Sequence, residues 1–566
     1  MKKYVYAFGG SDTEGTHKDA ALLGKKGANL AEMCLMDGIP VPAGFTISTD
    51  CCEYYYANER SLPSELTEQV ATALKKVEKC MGQQFGYPEN PLLISCRASS
   101  PAPMPGMIDT ILNLGINDDV VRGMIKKTGN ERFGWDIYRR FVQQYGDIVL
   151  KMIPDRREDE DPFEVIIHEM KKDRGVKGDS DLTAADLQQL VVQFKKLIRD
   201  RTGLDFPDDP WKQLIGAIGA VFESWMDKRT VTYRKLNDIS QASGIAVVFQ
   251  AMVFGNIGDD CATGVCFTRN PSTGENKFYG EYLLNAQGED VVAGIRTPYQ
   301  VTRSSAQHWA AACSIDEATR ANKFPSLEES MPAIYAQLID ICKRLEMHFM
   351  DMLDIEFTIQ KGRIWMLQCR IGKRTTRASL RIAVELLSQK LIDKNTAISR
   401  VDQAEIAKLP DILDPNSSND FKPILTGLAS NSGCISGIAV FTPEDAVPLA
   451  KQGKACILIC KDISTRGDMD PLNTVVGIIA GRGGMTCHAA IYARGQGKCY
   501  MTGATDLVID GTSRTASVAG TDVILKEGDM ITLDGNCGKV YPGSCPLVCA
   551  PEKKILQELL NSPETA

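Results

Sequence analysis

Hydrophobic residues change their period several times along this chain, and each change marks a part of it. Residues 1–110 mix two patterns: a helical one opening at Gly24-Lys25-Lys26-Gly27-Ala28-Asn29-Leu30, and apolar strands at 45–49 and 92–97. Pro40-Val41-Pro42-Ala43-Gly44 separates them, because proline and glycine interrupt a helical register. Residues 120–235 are charged and predict a run of helices with a polar break near 173–181. Strand patterns return over 244–300, where 244–250 and 264–268 are continuous apolar runs. Residues 351–360 and 363–370 predict a hairpin turning near Lys361-Gly362. A helix is predicted over 376–391, then a Pro-, Asp-, Ser- and Asn-rich linker over 409–421. Residues 422–545 are rich in Gly, Val and Ile and end in a turn and strand at 534–541. One short helix is predicted over 553–560.

The 566 residues are enough for two to four domains with real cores. Apolar content of 43% and charged content of 24% are those of a soluble globular protein. A net charge of −8 argues against a nucleic-acid scaffold, so an anionic ligand must be held by local basic groups and backbone amides. The chain opens on Met-Lys-Lys-Tyr-Val-Tyr without a signal peptide or transit pattern and has no apolar run of eighteen, so no membrane role and a cytoplasmic location are expected. Eighteen cysteines are scattered without a C-x-x-C pair, and with five histidines they read as reduced, buried small hydrophobes rather than a zinc site. Only Cys487, beside His488, invites a question about reactivity.

The chemistry is concentrated in Gly483-Gly484-Met485-Thr486-Cys487-His488-Ala489-Ala490, which follows the apolar run 475–480. That order predicts a buried strand, a turn, and a helix over 485–493 with Thr486 as N-cap. Unpaired N–H groups and the dipole at a helix start favour an anion. An imidazole there, with an ordinary pKa near 6.5, is largely neutral at physiological pH and can take a phosphoryl group as a covalent adduct. The plain alternative is a capping or core histidine.

Two further features fit polyphosphate chemistry. Lys26 lies between glycines at a helix start, and Arg97 ends an apolar strand before a loop of small residues. In that loop Pro101, Pro103 and Pro105 contribute no N–H, so it is a poor anion nest. In the hairpin, Asp354 and Glu356 share one face, and Gln368 and Arg370 share a face on the return strand. A three-residue turn would set Glu356 opposite Gln368 and Asp354 opposite Arg370, a surface suited to magnesium and polyphosphate. Ordinary cross-strand ion pairs on a solvent face would leave the same pattern.

Taken in order, these elements resemble the pyruvate phosphate dikinase family. The likeness runs through 22–30, Pro42-Ala43-Gly44-Phe45-Thr46-Ile47, Met104-Pro105-Gly106-Met107, Tyr138-Arg139-Arg140-Phe141, Tyr233-Arg234-Lys235-Leu236-Asn237, 252–256, 268–275, 285–292, 354–359 and the histidine motif. It implies a multidomain α/β and α+β chain. Residues 1–375 would form an ATP-grasp nucleotide-binding domain with a helix-rich insert at 120–235, and 376–421 a helical linker. Residues 422–545 would form a swivelling β/α phosphohistidine domain, with a tail at 546–566. Lys26, Arg97, Met252, Val253, Glu281, Asp354, Glu356, Gln368 and Arg370 would hold ATP. Asp354, Glu356 and Gln368 would hold its Mg2+. His488, Arg97, Arg370 and Lys26 would be catalytic, and Thr486 matches a position phosphorylated by a regulatory kinase in some members.

The implied reaction is ATP- and phosphate-dependent phosphorylation of His488, giving AMP and pyrophosphate. The alternatives are a non-catalytic nucleotide-binding relative or a phosphotransferase to another acceptor. Family members carry a further phosphoenolpyruvate/pyruvate barrel, and this chain ends where its linker should begin. A separate barrel subunit, in a heteromer or alongside a homodimer, is therefore the expected partner. The chain departs from the family at Ala98-Ser99-Ser100-Pro101-Ala102-Pro103, where members typically read Ser-Gly-Ala-Arg-x-Ser. It also departs at Ile371, which replaces an asparagine, and at Ser464-Thr465-Arg466-Gly467-Asp468.

Overall fold

A computed structural model describes residues 2–102, 104, 110–152, 161–240, 244–292, 297–313, 315–407, 412–413, 421–431, 433–463, 471–548 and 552–561. Expectations placed on Pro103, on the stretch from Pro105 to Asp109, on 464–468 and on most of the 409–421 linker fall outside these residues. The chain forms two compact units. One comprises 1–258 with 365–368, the other 259–364 with 369–566.

The first unit is built on an antiparallel sheet of β1 (Val5–Phe8), β2 (Gly44–Ile47), β3 (Ile94–Ser99), β4 (Thr110–Leu114) and β5 (Ala246–Ala251), in the order β1-β2-β5-β3-β4. Every residue of β2 and β5 is buried, as continuous apolar runs require of strands covered on both faces. Among the described residues six α-helices occupy the stretch expected to be helical, from Asp118–Thr128 to Lys228–Leu236. Their ends carry ordinary caps. Asn130 accepts from Phe133 N ahead of α2 (Glu131–Ile148), and Thr183 and Asp186 form a capping box on α3 (Ala184–Thr202). Phe133, Ile137, Phe141, Phe163, Phe194 and Phe222 join Ile94 and Phe249 in one apolar core. The insert is therefore packed onto the first sheet and has no separate core.

Among the described residues the second unit contains, besides two small sheets of two and three strands, two large ones. One has β6 (Ala262–Phe267), β7 (Tyr279–Leu284), β8 (Tyr299–Gln300), β9 (Leu353–Gln360) and β10 (Arg363–Ile371) in the order β8-β7-β6-β9-β10, with residues 365–368 of β10 grouped in the first unit. The β9–β10 turn falls where the pattern predicts, at Lys361 (φ 51°) and Gly362 (φ 69°). That left-handed pair follows the right-handed twist of a hairpin. Along β10 the alternation of burial breaks at Gln368 and Cys369, both buried.

The other sheet has eight strands: β11 (Leu425–Thr426), β12 (Leu428–Ala429), β13 (Cys434–Val440), β14 (Cys456–Cys460), β15 (Gly477–Ala480), β16 (Cys499–Thr502), β17 (Met530–Asp534) and β18 (Lys539–Pro542). Strands β13 to β16 are parallel neighbours in chain order, linked by helices, and the outer strands are antiparallel. Two apolar clusters belong wholly to this region, one including Ile457, Ile479, Met501 and Leu533 and the other Leu458, Ile478, Ala490 and Tyr500. Alternate residues of β14 and β15 thus feed opposite faces.

The helix expected from 376 is α4 (Thr376–Ser388). The terminal helix runs Glu552–Asn561 and buries Leu556 and Leu559 in a core with Leu380 and Ala383. Among the described residues no helix is long and apolar enough to cross a membrane.

Candidate active site

In the first unit the chain kinks at Gly24 (φ 64°, ψ 163°) inside α1 (Ala20–Leu35), so the regular helix starts at Lys25. Glycine is needed there twice over. The φ is left-handed, and a Cβ would lie 2.1 Å from the Ser99 carbonyl oxygen. That contact locks the helix start to the end of β3. Lys25 N donates to Ser100 O at 3.0 Å and Gly27 N to Ser99 Oγ at 3.0 Å, while Ser99 Oγ donates to Leu23 O at 2.9 Å. The Ser99 hydroxyl thus takes up one N–H group that an anion would otherwise meet, and the Ser100 backbone carbonyl takes up another whatever its side chain. Lys26 is half-buried on this turn.

The strand expected to end at Arg97 runs on to Ser99, and Arg97, inside β3, joins a residue far along the chain. Its Nη2 donates to Gln368 Oε1 at 3.1 Å, and its Nη1 donates to Leu367 O at 2.9 Å and Gln250 Oε1 at 3.3 Å. Gln368 therefore has its amide oxygen engaged by a guanidinium. Met252 and Val253 follow β5; Met252 N donates to Leu93 O at 2.8 Å, and Val253 is buried.

In the second unit, register places the acidic residues. Val265 of β6 stands opposite Glu281 of β7 and Glu356 of β9, and Phe267 stands opposite Tyr279 and Asp354. Directly opposed residues project to one side of an antiparallel sheet, so Glu281, Glu356, Tyr279 and Asp354 share a face. Asp354 is 1% exposed. Its Oδ2 accepts from Arg370 Nε at 2.9 Å and Nη2 at 2.8 Å, whereas Oδ1 is buried with no hydrogen-bond partner. Burial pushes this carboxyl up despite the Arg370 charge. A buried, unpartnered carboxylate oxygen beside half-buried Glu356 fits a hard, oxygen-seeking cation such as Mg2+.

Glu281 is fully buried and accepts four hydrogen bonds: Met485 N at 3.0 Å, Thr486 N at 3.0 Å, Thr486 Oγ1 at 2.8 Å and Gln300 Nε2 at 3.3 Å. Burial raises its pKa against the opposing pull of those donors. The segment carrying His488 therefore lies on the same sheet face as Asp354 and Glu356.

The helix itself, α5, spans His488–Gly495, with Cys487 at the N-cap position. It opens three residues later than the periodicity predicts, and Thr486 does not cap it, because the Thr486 hydroxyl is given to Glu281. His488 is half-buried at the first helical position, beyond the C-terminal end of parallel strand β15. Ligands in parallel α/β sheets gather at that edge. Cys487 is buried, and burial pushes its thiol up, which removes it as a nucleophile.

Arg494 was absent from the residues expected at the site. It is 2% exposed, lies over the Phe267 ring with its guanidinium carbon 5.5 Å from the centroid, and donates from Nη2 to Met485 O at 2.8 Å and Ser430 O at 3.3 Å. The available signal is a charge at the end of the otherwise apolar run Ala489-Ala490-Ile491-Tyr492-Ala493, every residue of which is buried.

A model of the pyruvate phosphate dikinase AMP/ATP-binding domain matches residues 58–391, and one of the PEP-utilising enzyme mobile domain matches 452–538. The chain is 45% identical over 549 residues to a pyruvate, phosphate dikinase of Rhizobium meliloti (strain 1021), covering 97% of this chain and 59% of that one. It is 44% identical over 544 residues to a chloroplastic pyruvate, phosphate dikinase of Flaveria pringlei, covering 96% and 53%. A chloroplastic relative from Oryza sativa subsp. japonica is 43% identical over 552 residues, covering 97% and 54%. The chain spans between about half and three fifths of the length of these relatives. It belongs to the pyruvate phosphate dikinase family.

Proposed function

We propose that this chain catalyses phosphorylation of His488 by ATP and orthophosphate. The imidazole attacks the β-phosphorus and displaces AMP, and orthophosphate then takes the γ-phosphoryl group as pyrophosphate. One phosphoryl group remains on the ring, and the imidazole proton is lost to solvent. The observation carrying this reading is that the His488 segment is hydrogen-bonded to Glu281 on the sheet face that bears Asp354 and Glu356. Lys26, Arg97 and Arg370 are the cations available to polyphosphate, with Arg370 oriented by Asp354. Met252 and Val253 would line the nucleotide. Asp354 and Glu356, with Gln368 expected beside them, would hold Mg2+, which when bound neutralises charge on the phosphates.

The domain limits that go with this reading are 1–375 for nucleotide binding, 376–421 for the linker, 422–545 for a swivelling carrier and 546–566 for the tail. Pyruvate, which the relatives' names carry, would be the final acceptor at a barrel domain, joined in a homodimeric or heteromeric assembly. Thr486 would be a regulatory position.

A second reading, nucleotide binding without turnover, is favoured by one feature. The Ser99 hydroxyl already occupies the Gly27 amide at the Gly24 helix start. Incubation with [β-32P]ATP, Mg2+ and phosphate, comparing the wild type with His488→Ala, separates the two. Acid-labile, alkali-stable label on the wild type alone, with AMP released, supports the reaction. ATP binding without label supports the second reading.

A further inference from the structure

The residue two places before the N-cap of the His488 helix is gripped at both ends of its backbone by buried charges. Met485 N donates to Glu281 Oε1 at 3.0 Å, and Met485 O accepts from Arg494 Nη2 at 2.8 Å. Thr486 adds its amide and hydroxyl to Glu281 Oε2, at 3.0 and 2.8 Å. Glycine at 484 makes the approach feasible, because a Cβ there would lie 2.4 Å from Glu281 Oε2 and 2.8 Å from Pro298 Cγ. The grip joins separate regions. Glu281 and Gln300 stand on β7 and β8, while Met485, Thr486 and Arg494 stand beside the sheet that has its own two apolar clusters.

Arg494 is poorly justified as a stabilising residue. Its Nε and Nη1 are buried without hydrogen-bond partners, as are Tyr279 Oη and Asp354 Oδ1 on the facing sheet. A desolvated guanidinium with unused donors carries a large desolvation cost, and replacing buried charge by apolar side chains of similar volume is often neutral for stability. Its use here is geometric. It fixes the carbonyl whose amide Glu281 fixes from the other side, and charge-assisted bonds in a dry setting hold such a segment tightly.

We propose that Glu281 and Arg494 are positioning residues for His488, a paired clamp on the Met485 peptide that sets where α5 begins and where the imidazole stands over the Asp354–Glu356 face. This rests on the phosphorylation reaction proposed above. A nucleophile displaced by about 1 Å can lose on the order of a hundredfold in rate. The clamp therefore acts on the rate at saturating ATP and not on ATP affinity.

The test measures His488 labelling rate across ATP concentration, with ATP affinity determined separately, for the wild type, Glu281→Gln, Arg494→Met, Thr486→Val and Thr486→Ser. The clamp predicts at least tenfold slower labelling at saturating ATP in the first two variants, with unchanged ATP affinity. Arg494→Met should melt no lower than the wild type, so its loss of rate is not a loss of fold. Thr486→Ser should retain most of the rate that Thr486→Val loses. Hydrogen exchange at the Met485 and Thr486 amides should be slow in the wild type and faster in Glu281→Gln.

Labelling at the wild-type rate in Glu281→Gln and Arg494→Met overturns the clamp. So does a weakened ATP affinity with an unchanged saturating rate, which would make Glu281 a nucleotide contact instead. A wild type that takes no label defeats the reaction itself, an outcome distinct from a labelled wild type with indifferent variants.

Discussion

Glu281 and Glu356 stand opposite one residue, Val265, from its two flanking strands, and both carboxylates rise from the same sheet face. Two interstrand steps separate them, about 10 Å. Glu281 is buried and spent on backbone amides, whereas Glu356 is half-buried. Only Glu356 of this pair is placed to serve a cation. Glu356→Gln should raise the Mg2+ concentration giving half-maximal His488 labelling by about tenfold or more, as loss of a metal-facing carboxylate does. The melting temperature should hardly move. An unaltered Mg2+ dependence would remove Glu356 from the metal site.

Asp354→Ala should destabilise the protein, by about 1–3 kcal/mol, because it strips Arg370 of both hydrogen bonds within a part-buried setting. Urea unfolding of the intact chain reads this directly. Stability equal to the wild type would mean that water replaces Asp354 without loss.

The Gly24 kink offers a sharper contrast. Gly24→Ala pushes a methyl group into the Ser99 carbonyl and forces a left-handed φ on alanine, which should destabilise by about 1–3 kcal/mol. Ser99→Ala removes one accepted and one donated hydrogen bond and should destabilise by about 1–2 kcal/mol. If the second reading of function holds, Ser99→Gly should strengthen phosphate or ATP binding by freeing Gly27 N. Calorimetric titration would show no change if the serine is innocent.

Acid will find the Arg320 cluster. Arg320 is fully buried and donates to both oxygens of Glu329, at 2.8 and 2.7 Å, and both of Glu317, at 2.8 and 3.0 Å. Hydrogen bonds from Arg320 hold Glu329 down at about 2, below its ordinary 4.5. A carboxyl lowered by folding stabilises above its unfolded pKa, and that contribution is lost as pH falls through the folded one. The wild type should therefore lose stability steeply between pH 4.5 and about 2. Arg320→Met should be less stable at neutral pH and show a shallower acid limb in thermal melts from pH 2 to 7. Parallel curves for the two proteins would contradict this.

Thiol chemistry should pass Cys487 by. At pH 8 iodoacetamide should modify exposed Cys80 in the native chain while Cys487, buried and with its thiol raised by burial, stays unlabelled until denaturant is added. Peptide mapping settles the order. Native labelling of Cys487 at a rate matching Cys80 would show that its helix opens readily.

Periodicity made much of this architecture legible, and its failures have particular causes. The hairpin, the helical insert, the strand before His488 and the terminal helix all follow from local apolar spacing. Spacing placed the β9–β10 turn at Lys361-Gly362 but left its length open, because Lys361 can adopt positive φ. The start of α5 was misplaced because Thr486 has the composition of an N-cap, and its hydroxyl is claimed by Glu281 two hundred and five residues earlier. Arg97 meeting Gln368, 271 residues on, is equally invisible to local pattern. Ser99, a departure from the family pattern in sequence, proves to bridge Gly27 N and Leu23 O through its hydroxyl.

The eight-stranded sheet is closed on both faces by its own apolar layers. Many of its attachments to the preceding elements are hydrogen bonds: Ser272 Oγ to Ser430 O, Thr426 Oγ1 to Ala312 O, Arg377 Nη1 to Asn536 Oδ1, and the Glu281 contacts. Water can substitute at each, so parting them would bare oily surface chiefly at Met485, which packs against the core containing Val265 and Phe267. The rate of such a departure would follow the number of bonds that must open together. It should respond more to viscosity and to denaturants of polar contacts than to the temperature dependence that marks hydrophobic separation.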